Sequence, residues 1–294
     1  MFDFQVPDAR KIRVILDTDT ANEADDPFAI VHAVLSPKLI VKGIVAEHFC
    51  KPDSMEKSLS AISTLKSLLH TDIPIYAGQK DPSDPVVSAG VQAIISEAMR
   101  DDPHPLFLLC LGALTNIARA FREAPQIESR VTVVTIGGHP YTDKAPFREF
   151  NFGNDPDAVN RVFASKAEIW QVPSSCYGAV RAGIAEIQEK VAPCGALGAY
   201  LFRQLADFNA SPAAYWVSGE SWVFGDSASV ALTLDPSCGR MHSVNARRIL
   251  PDTSYGEAIE GKTIRVCQSM DVRYLLEDFY AKLRIFAQLE NNRS

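Results

Sequence analysis

Four aspartates and a glutamate fall within the ten residues DTDTANEADD, Asp17 to Asp26. Carboxylates are the side chains that hold hard cations and take protons from water. Two of them 4 Å apart repel by roughly 4 kcal/mol at an effective dielectric near 20. A solvated loop would fan them outward, whereas a site that converges them needs a cation. Acidic and amide side chains recur after later apolar runs, in LGALTN (111–116), GGHPYTD (137–143), REFNFGNDP (148–156) and FGDSASVAL (224–232). Oxygen-rich sets of this kind, with no Cys and little His, suit Ca²⁺ or Mg²⁺. The side chains of Asp19, Asp26 and Asp226, with one backbone carbonyl, would make such a site, and waters or substrate hydroxyls would fill its open positions. Each piece alone has a plainer explanation. Asp26 before Pro27 is an ordinary helix cap, an acidic run is usually a solvated loop, and Gly137-Gly138 is a turn. Their common position at the ends of predicted strands is what points to one rim.

Those strands are IRVILD (12–17), LIVKGIVAE (39–47), IPIYAG (73–78), PLFLLCLG (105–112), RVTVVTIGG (130–138) and AEIWQVP (167–173). Each is short, apolar and bounded by turn residues, the pattern of strands buried on both faces of a parallel sheet. Helical patterns alternate with them: DDPFAIVHAVL, SMEKSLSAISTLKSLL, TNIARAFRE, NDPDAVNRVFAS and DVRYLLEDFYAKLRIFAQL, the last repeating Leu275, Leu276, Phe279, Leu283 and Phe286 at helical spacing. The alternation predicts a doubly wound α/β fold, a mostly parallel central sheet with helices on both faces, as a single domain over residues 1–294. In such sheets ligands bind outside the carboxyl ends of the strands, where the acidic motifs lie.

Composition narrows the partners. The chain carries a net charge of −7 at pH 7, so it lacks the basic footprint of a nucleic-acid binder. The six cysteines are scattered without C-x-x-C or zinc-finger spacing and read as reduced thiols, several of them in the core. The opening MFDFQVPDARK has no charged start followed by an apolar run, and no segment approaches 18 uninterrupted apolar residues. The expectation is a cytoplasmic protein that meets neither membrane nor nucleic acid.

Two families resemble the opening stretch. Asp17-Thr18-Asp19-Thr20 after a strand resembles the D-x-D-x-T motif of haloacid-dehalogenase-like phosphatases, with Asp17 as nucleophile and Gly225-Asp226-Ser227 as the final acidic motif. That pattern needs a second acid a few residues on, and the next one after Asp226 is Asp235. The Asp25-Asp26 pair is also foreign to it. The fuller match is to the nucleoside hydrolases, N-ribohydrolases similar to the inosine–uridine enzymes. It is carried by DTDTANEADDPFAI (17–30), GALTNIA (112–118), GGHPYTD with EFNFGNDPDAV (137–159) and GDSASVALTLDP (225–236), in the family's order.

The resemblance implies a Ca²⁺-dependent enzyme of nucleoside salvage that cleaves the N-glycosidic bond of a nucleoside or related N-riboside, with a homodimer or homotetramer as the working form. Asp19 would be a Ca²⁺ ligand and the base that activates the metal-bound water. Asp26, the backbone carbonyl of Leu111 and Asp226 would complete the protein ligands. Asp25 would hold the ribose 2′-hydroxyl, Asn151 the 3′-hydroxyl and Glu149 the 5′-hydroxyl region, with Asp17 supporting the loop from behind. The rival from another class is a ribose- or nucleoside-binding protein of the same fold without turnover.

Departures from the family pattern concern the base end. Five residues, TANEA, separate Asp19 from Asp25 where the common form has three, so Asn22 and Glu23 are candidates for contact with substrate or a metal-held water. Gly225 stands where many members carry a His that protonates a purine leaving group. His139, His48, Tyr141 and Trp222 are the substitutes available, and His48, just after a strand, could reach the rim. Asp143 lies nearest in spacing to an Asn that many members place before E-F-N. The segment DPSDPVVSAG is shorter than the base-side loop of many members. The sequence therefore names neither the base nor the acid that assists its departure.

Overall fold

The structure, a computed structural model, describes residues 2–141 and 147–292. Its strands in chain order are β1 (Ile12–Thr18), β2 (Leu39–Ala46), β3 (Ile75–Ala77), β4 (Leu106–Cys110), β5 (Val131–Ile136), β6 (Glu168–Val172), β7 (Arg181–Gly183), β8 (Ser221–Val223), β9 (Gly239–Ile249) and β10 (Tyr255–Met270). Its α-helices are α1 (Asp26–Val34), α2 (Ser54–Leu68), α3 (Ala89–Ala98), α4 (Thr115–Glu123), α5 (Phe150–Asn154), α6 (Pro156–Phe163), α7 (Ser174–Tyr177), α8 (Ile184–Lys190), α9 (Gly195–Asn209), α10 (Ser227–Leu234) and α11 (Val272–Asn291). Among the described residues no helix is long and apolar enough to cross a membrane.

Eight strands form the main sheet in the order β3-β2-β1-β4-β5-β6-β10-β9. All neighbouring pairs are parallel except β10 with β9. The expected doubly wound α/β sheet is thus present, and all six strands expected from the sequence belong to it. The apolar runs work because side chains alternate between two covered faces. Val14 and Leu16 of β1 enter one core cluster with Leu109, Val134, Ile136, Trp170 and Val172. Ile15 enters the other, with Leu106, Leu108, Val131, Val133 and Ile169.

Several elements escaped sequence reading. The long β9–β10 ribbon is antiparallel and only partly buried, and its register shifts three times, so it lacks the apolar run that marked the buried strands. Helices α3 and α9 went unnoticed, and so did α5, which covers residues expected to be a strand-end loop. Helix α1 starts one residue earlier than expected: Asp26 is its first residue, Pro27 follows inside the first turn, and Asp25 stands at the preceding position without a side-chain cap bond.

The order 3-2-1-4 reverses direction at β1, so the crevice above β1 and β4 is the switch point where such sheets bind ligands. Asp17 pairs in register with Val45 on one side and Cys110 on the other. Beyond the last paired residues, Leu111 N donates to Asp17 O at 2.8 Å and Glu47 N to Thr18 O at 2.8 Å. This brings Asp19, Glu47 and Leu111 to adjacent strand ends. Helix α1 is held by Phe28, fully buried, whose ring lies 4.8 Å from that of Phe224 and 5.6 Å from that of Phe279. Phe28→Ala should therefore destabilise the fold by about 3–5 kcal/mol, read as a lower urea midpoint at unchanged slope.

Candidate active site

The strand ends open into a cavity of about 1010 Å³. Its floor includes Asp19, Asp25, Asp26, Asp226 and the Leu111 main chain, with Glu149 and Asn151 alongside. Its upper wall carries Phe49, Phe147, Phe150, Tyr177, Tyr215 and Trp216. A polar floor under an aromatic mouth is the build of a site for a ligand with one hydroxyl-rich end and one flat end.

Three elements bring the floor together. The turn after β1 carries Asp19, with Asn22 N donating to Asp19 O at 2.7 Å. The start of α1 carries Asp25 and Asp26. The start of α10 carries Asp226, whose N–H donates to Asp25 Oδ2 at 3.2 Å across 201 residues. Thr18 Oγ1 donates to Asp26 Oδ1 at 2.5 Å. Ligand atoms of Asp25, Asp26 and Asp226 all lie within 4.8 Å of one another, close enough to share a metal ion.

The electrostatics are those of a pocket built for positive charge. Burial pushes the Asp26 carboxyl up to about 6, although the Thr18 hydroxyl and Asp226 pull the other way. Burial raises Asp19 well above the usual range, and the charges of Asp26 and Glu23 add to it. Asp25 and Asp226 are raised for the same first reason, reinforced by their acidic neighbours. Glu23 is pushed up to about 7, first by burial and then by Asp26 and Glu149, while Lys51 opposes the shift. Both Glu23 and Asn22 line the cavity, so the extra turn TANEA does reach the site.

Asp17 sits behind the floor. It is fully buried and does not line the cavity. Its Oδ1 accepts from Asn116 Nδ2 at 2.8 Å, and burial lifts it to about 7. A phosphatase nucleophile must face the substrate, so this geometry leaves that resemblance without its reactive group. Glu149 accepts from Asn151 N and Phe152 N and so caps α5. Asn151 spends its amide protons on Leu111 O at 2.6 Å and Ile136 O at 3.0 Å, which turns its amide oxygen into the group left for a ligand.

The four substitutes proposed for the absent histidine lie elsewhere. His48 is fully buried and, instead of reaching the rim, lies within 2.9 Å of the Thr115 hydroxyl, which donates to Asp155. His139 is buried, with Nε2 2.7 Å from Phe147 O. Tyr141 stacks on Tyr255 at 4.3 Å, and Trp222 is fully buried. None of the four lines the cavity. Asp143 falls outside the described residues.

Two residues that sequence reasoning passed over bear on the site: Tyr177, which lines the cavity, and Glu47, which stands behind the floor near Asp19. Glu47 ends the β2 run with zero exposure, and neither carboxylate oxygen has a hydrogen-bond partner. Burial, then Asp17 and Asp19, raise its carboxyl well above the usual range. A Cβ on Gly112 would come within 2.6 Å of Asp19 Oδ1 and 2.7 Å of Glu47 Oε2, so a side chain there would displace these carboxylates. The available signal was the position of Glu47, one residue past a parallel strand. Tyr177 carried no such signal, and only the folded chain brings it to the cavity.

Known proteins share this architecture. The sequence profile described as inosine-uridine preferring nucleoside hydrolase matches residues 14–277. The pyrimidine-specific ribonucleoside hydrolase RihA of Escherichia coli is 27% identical over 180 residues, covering 52% of this chain and 57% of that protein. An uncharacterized protein of Schizosaccharomyces pombe is 25% identical over 191 residues, 55% of this chain and 61% of its own length. The match thus spans a little over half the length of these curated relatives. Among solved structures, the purine-preferring ribonucleoside hydrolase from Gardnerella vaginalis superposes with a TM-score of 0.75 at 20% identity, over 94% of this chain and 99% of that one. A plant nucleoside hydrolase gives 0.73 at 20% identity, over 93% and 99%. At that identity the structural likeness speaks for the fold. The profile runs through every acidic motif of the cavity floor, and the chain belongs to the inosine–uridine preferring nucleoside hydrolase family.

Proposed function

We propose that this protein hydrolyses the N-glycosidic bond of a ribonucleoside or related N-riboside, releasing base and ribose, with Ca²⁺ as its resident cation. The observation that carries the reading is the convergence of Asp19, Asp25, Asp26 and Asp226 at the sheet's switch point, beneath an aromatic-walled cavity.

The residues fit a hard divalent cation. The donor set is all oxygen. Asp25, Asp26 and Asp226 approach one another within ligand-sharing distance, and Asp19, outside that trio, lines the same cavity and has a buried Oδ2 without a partner. Asp19, Asp26, Asp226 and the Leu111 carbonyl would hold the ion. When bound, the cation holds the sugar hydroxyls in place, lowers the pKa of a water and offsets the crowded negative charge.

Cleaving the bond builds positive charge on the ribose. The buried carboxylates face that charge in a low-dielectric pocket, where it is stabilised most. Asp19 takes the proton from the attacking water. Asp25 accepts from the ribose 2′-hydroxyl and the free amide oxygen of Asn151 from the 3′-hydroxyl. Glu149 lies where the remaining 5′-hydroxyl would reach. The aromatic wall receives the base by stacking.

Reducing-sugar release from a panel of purine and pyrimidine ribonucleosides tests the reading. Turnover should disappear in excess EDTA and return with Ca²⁺. Full activity after exhaustive chelation, or binding without turnover across the panel, would sink it. Asp19→Asn should lower kcat by a factor on the order of 10² to 10⁴, as expected for loss of a positioned general base, while the circular dichroism spectrum stays unchanged.

The buried carboxylates also set a pH dependence. The folded pKa values of Asp17, Glu23 and Asp26, about 7, 7 and 6, lie above those of an unfolded chain. The folded state therefore binds more protons than the unfolded one between about pH 4 and 7, and stability falls as pH rises through that window. Calorimetry should show the melting temperature of the metal-free protein dropping from pH 5 to pH 7.5. Added Ca²⁺ should raise it more at pH 7.5 than at pH 5. A metal-free melting temperature that rises across this interval contradicts the account.

A further inference from the structure

Position 225 is a glycine for a reason the structure makes visible. A Cβ there would lie 3.2 Å from Cδ2, 3.3 Å from Cβ and 3.5 Å from Cγ of Tyr177. The space above residue 225, immediately before Asp226, is already taken by the Tyr177 ring. That ring is half-buried and lines the cavity together with Gly225, Asp226 and Glu149. At its far end the phenol Oη donates to Glu149 Oε1 at 3.2 Å.

Glu149 is thereby held from three sides. Two backbone N–H groups from Asn151 and Phe152 fix the carboxylate at the start of α5, and the Tyr177 hydroxyl fixes Oε1 from the opposite wall. Tyr177 comes from α7, after β6, and Gly225 precedes α10. The tyrosine therefore joins Gly225, next to Asp226 on the acidic floor, to Glu149. Asn151 and Asp25, the groups that the hydrolase reading gives to the two ring hydroxyls of a ribose, line the same cavity. In the hydrolase reading the 5′-hydroxyl falls to Glu149, and the Tyr177 hydroxyl is a side-chain donor that holds its Oε1.

We propose that Tyr177 is a specificity-determining positioning residue, which aligns Glu149 on the substrate 5′-hydroxyl and uses Gly225 as the clearance for its ring. The proposal rests on the hydrolase reading and its placement of Glu149 at the 5′-hydroxyl, and adds to it the residue that holds Glu149 there. The phenol stays neutral throughout, because burial and the neighbouring Glu149, Glu23 and Asp226 hold its pKa well above the usual tyrosine value. Its hydroxyl acts as a hydrogen-bond donor to Glu149.

The test compares a ribonucleoside that the wild type cleaves with its 5′-deoxy analogue. Tyr177→Phe, which keeps the ring, should lower kcat/KM on the ribonucleoside about tenfold, the size of one hydrogen bond to a charged group. On the 5′-deoxy analogue the same variant should change kcat/KM by less than about twofold. A general loss of structure would depress both substrates alike. Gly225→Ala, which pushes the ring off Glu149, should show the same selectivity and decides the matter if Tyr177→Phe does not fold. Equal losses on the two substrates, or no loss on either, overturn the inference alone. A wild type inert on every nucleoside of the panel overturns the hydrolase reading and takes this inference with it.

Discussion

The rest of this structure depends on the mutual repulsion of carboxylates that the fold buries together. Asp17, Asp19, Asp25, Asp26, Glu47 and Asp226 are all less than one-tenth exposed, and desolvation is the largest cause of the raised pKa of every one of them. A chain folding for stability alone would not assemble this. Burying an unpaired charge is among the least favourable changes available to a protein. The arrangement holds because a parallel sheet, packed on both faces, is rigid enough to impose it. Register fixes Asp17 against Cys110 and Val45, and everything beyond those pairs is placed by short turns.

The local supports fit that demand. Side-chain donors are aimed at particular carboxylate oxygens: Thr18 on Asp26, Asn116 on Asp17, the Tyr177 hydroxyl on Glu149. Backbone N–H groups at helix starts hold Asp25 and Glu149. Other oxygens, on Asp17, Asp19 and Glu47, are left without partners. The bonded oxygens set the geometry, and Asp19 Oδ2, on a residue that lines the cavity, leaves capacity for a cation. Gly112 completes the arrangement by allowing Asp19 and Glu47 to approach the same backbone.

The two ends of the cavity were legible to different degrees. The acidic motifs stood out because each follows a buried strand, and strand ends in an open parallel sheet converge by topology alone. Glu47 obeys the same rule, but a lone acid at the end of an apolar run carries no motif to mark it. The aromatic wall was opaque. Tyr177, Tyr215 and Trp216 come from connections whose lengths and directions no periodicity encodes. The histidines illustrate the converse: His48 and His139 have the right chemistry and plausible positions, yet their ring nitrogens lie against groups inside the protein. Side-chain direction at a strand end depends on what packs beside it.

What the sequence by itself determined is the sheet and the identity of its acidic rim. Buried strands write themselves as apolar runs, and the ligand-bearing turns follow them directly. What only the tertiary structure decided is which side chains share one space across hundreds of residues. Asp25 meets Asp226 only because α1 and α10 pack together, and Tyr177 occupies the volume over Gly225 only because α7 and the turn before α10 close on the same cavity. The physical reason is that burial and repulsion are properties of the assembled volume. An aspartate in a run of ten residues is just a charge until the sheet removes water from around it.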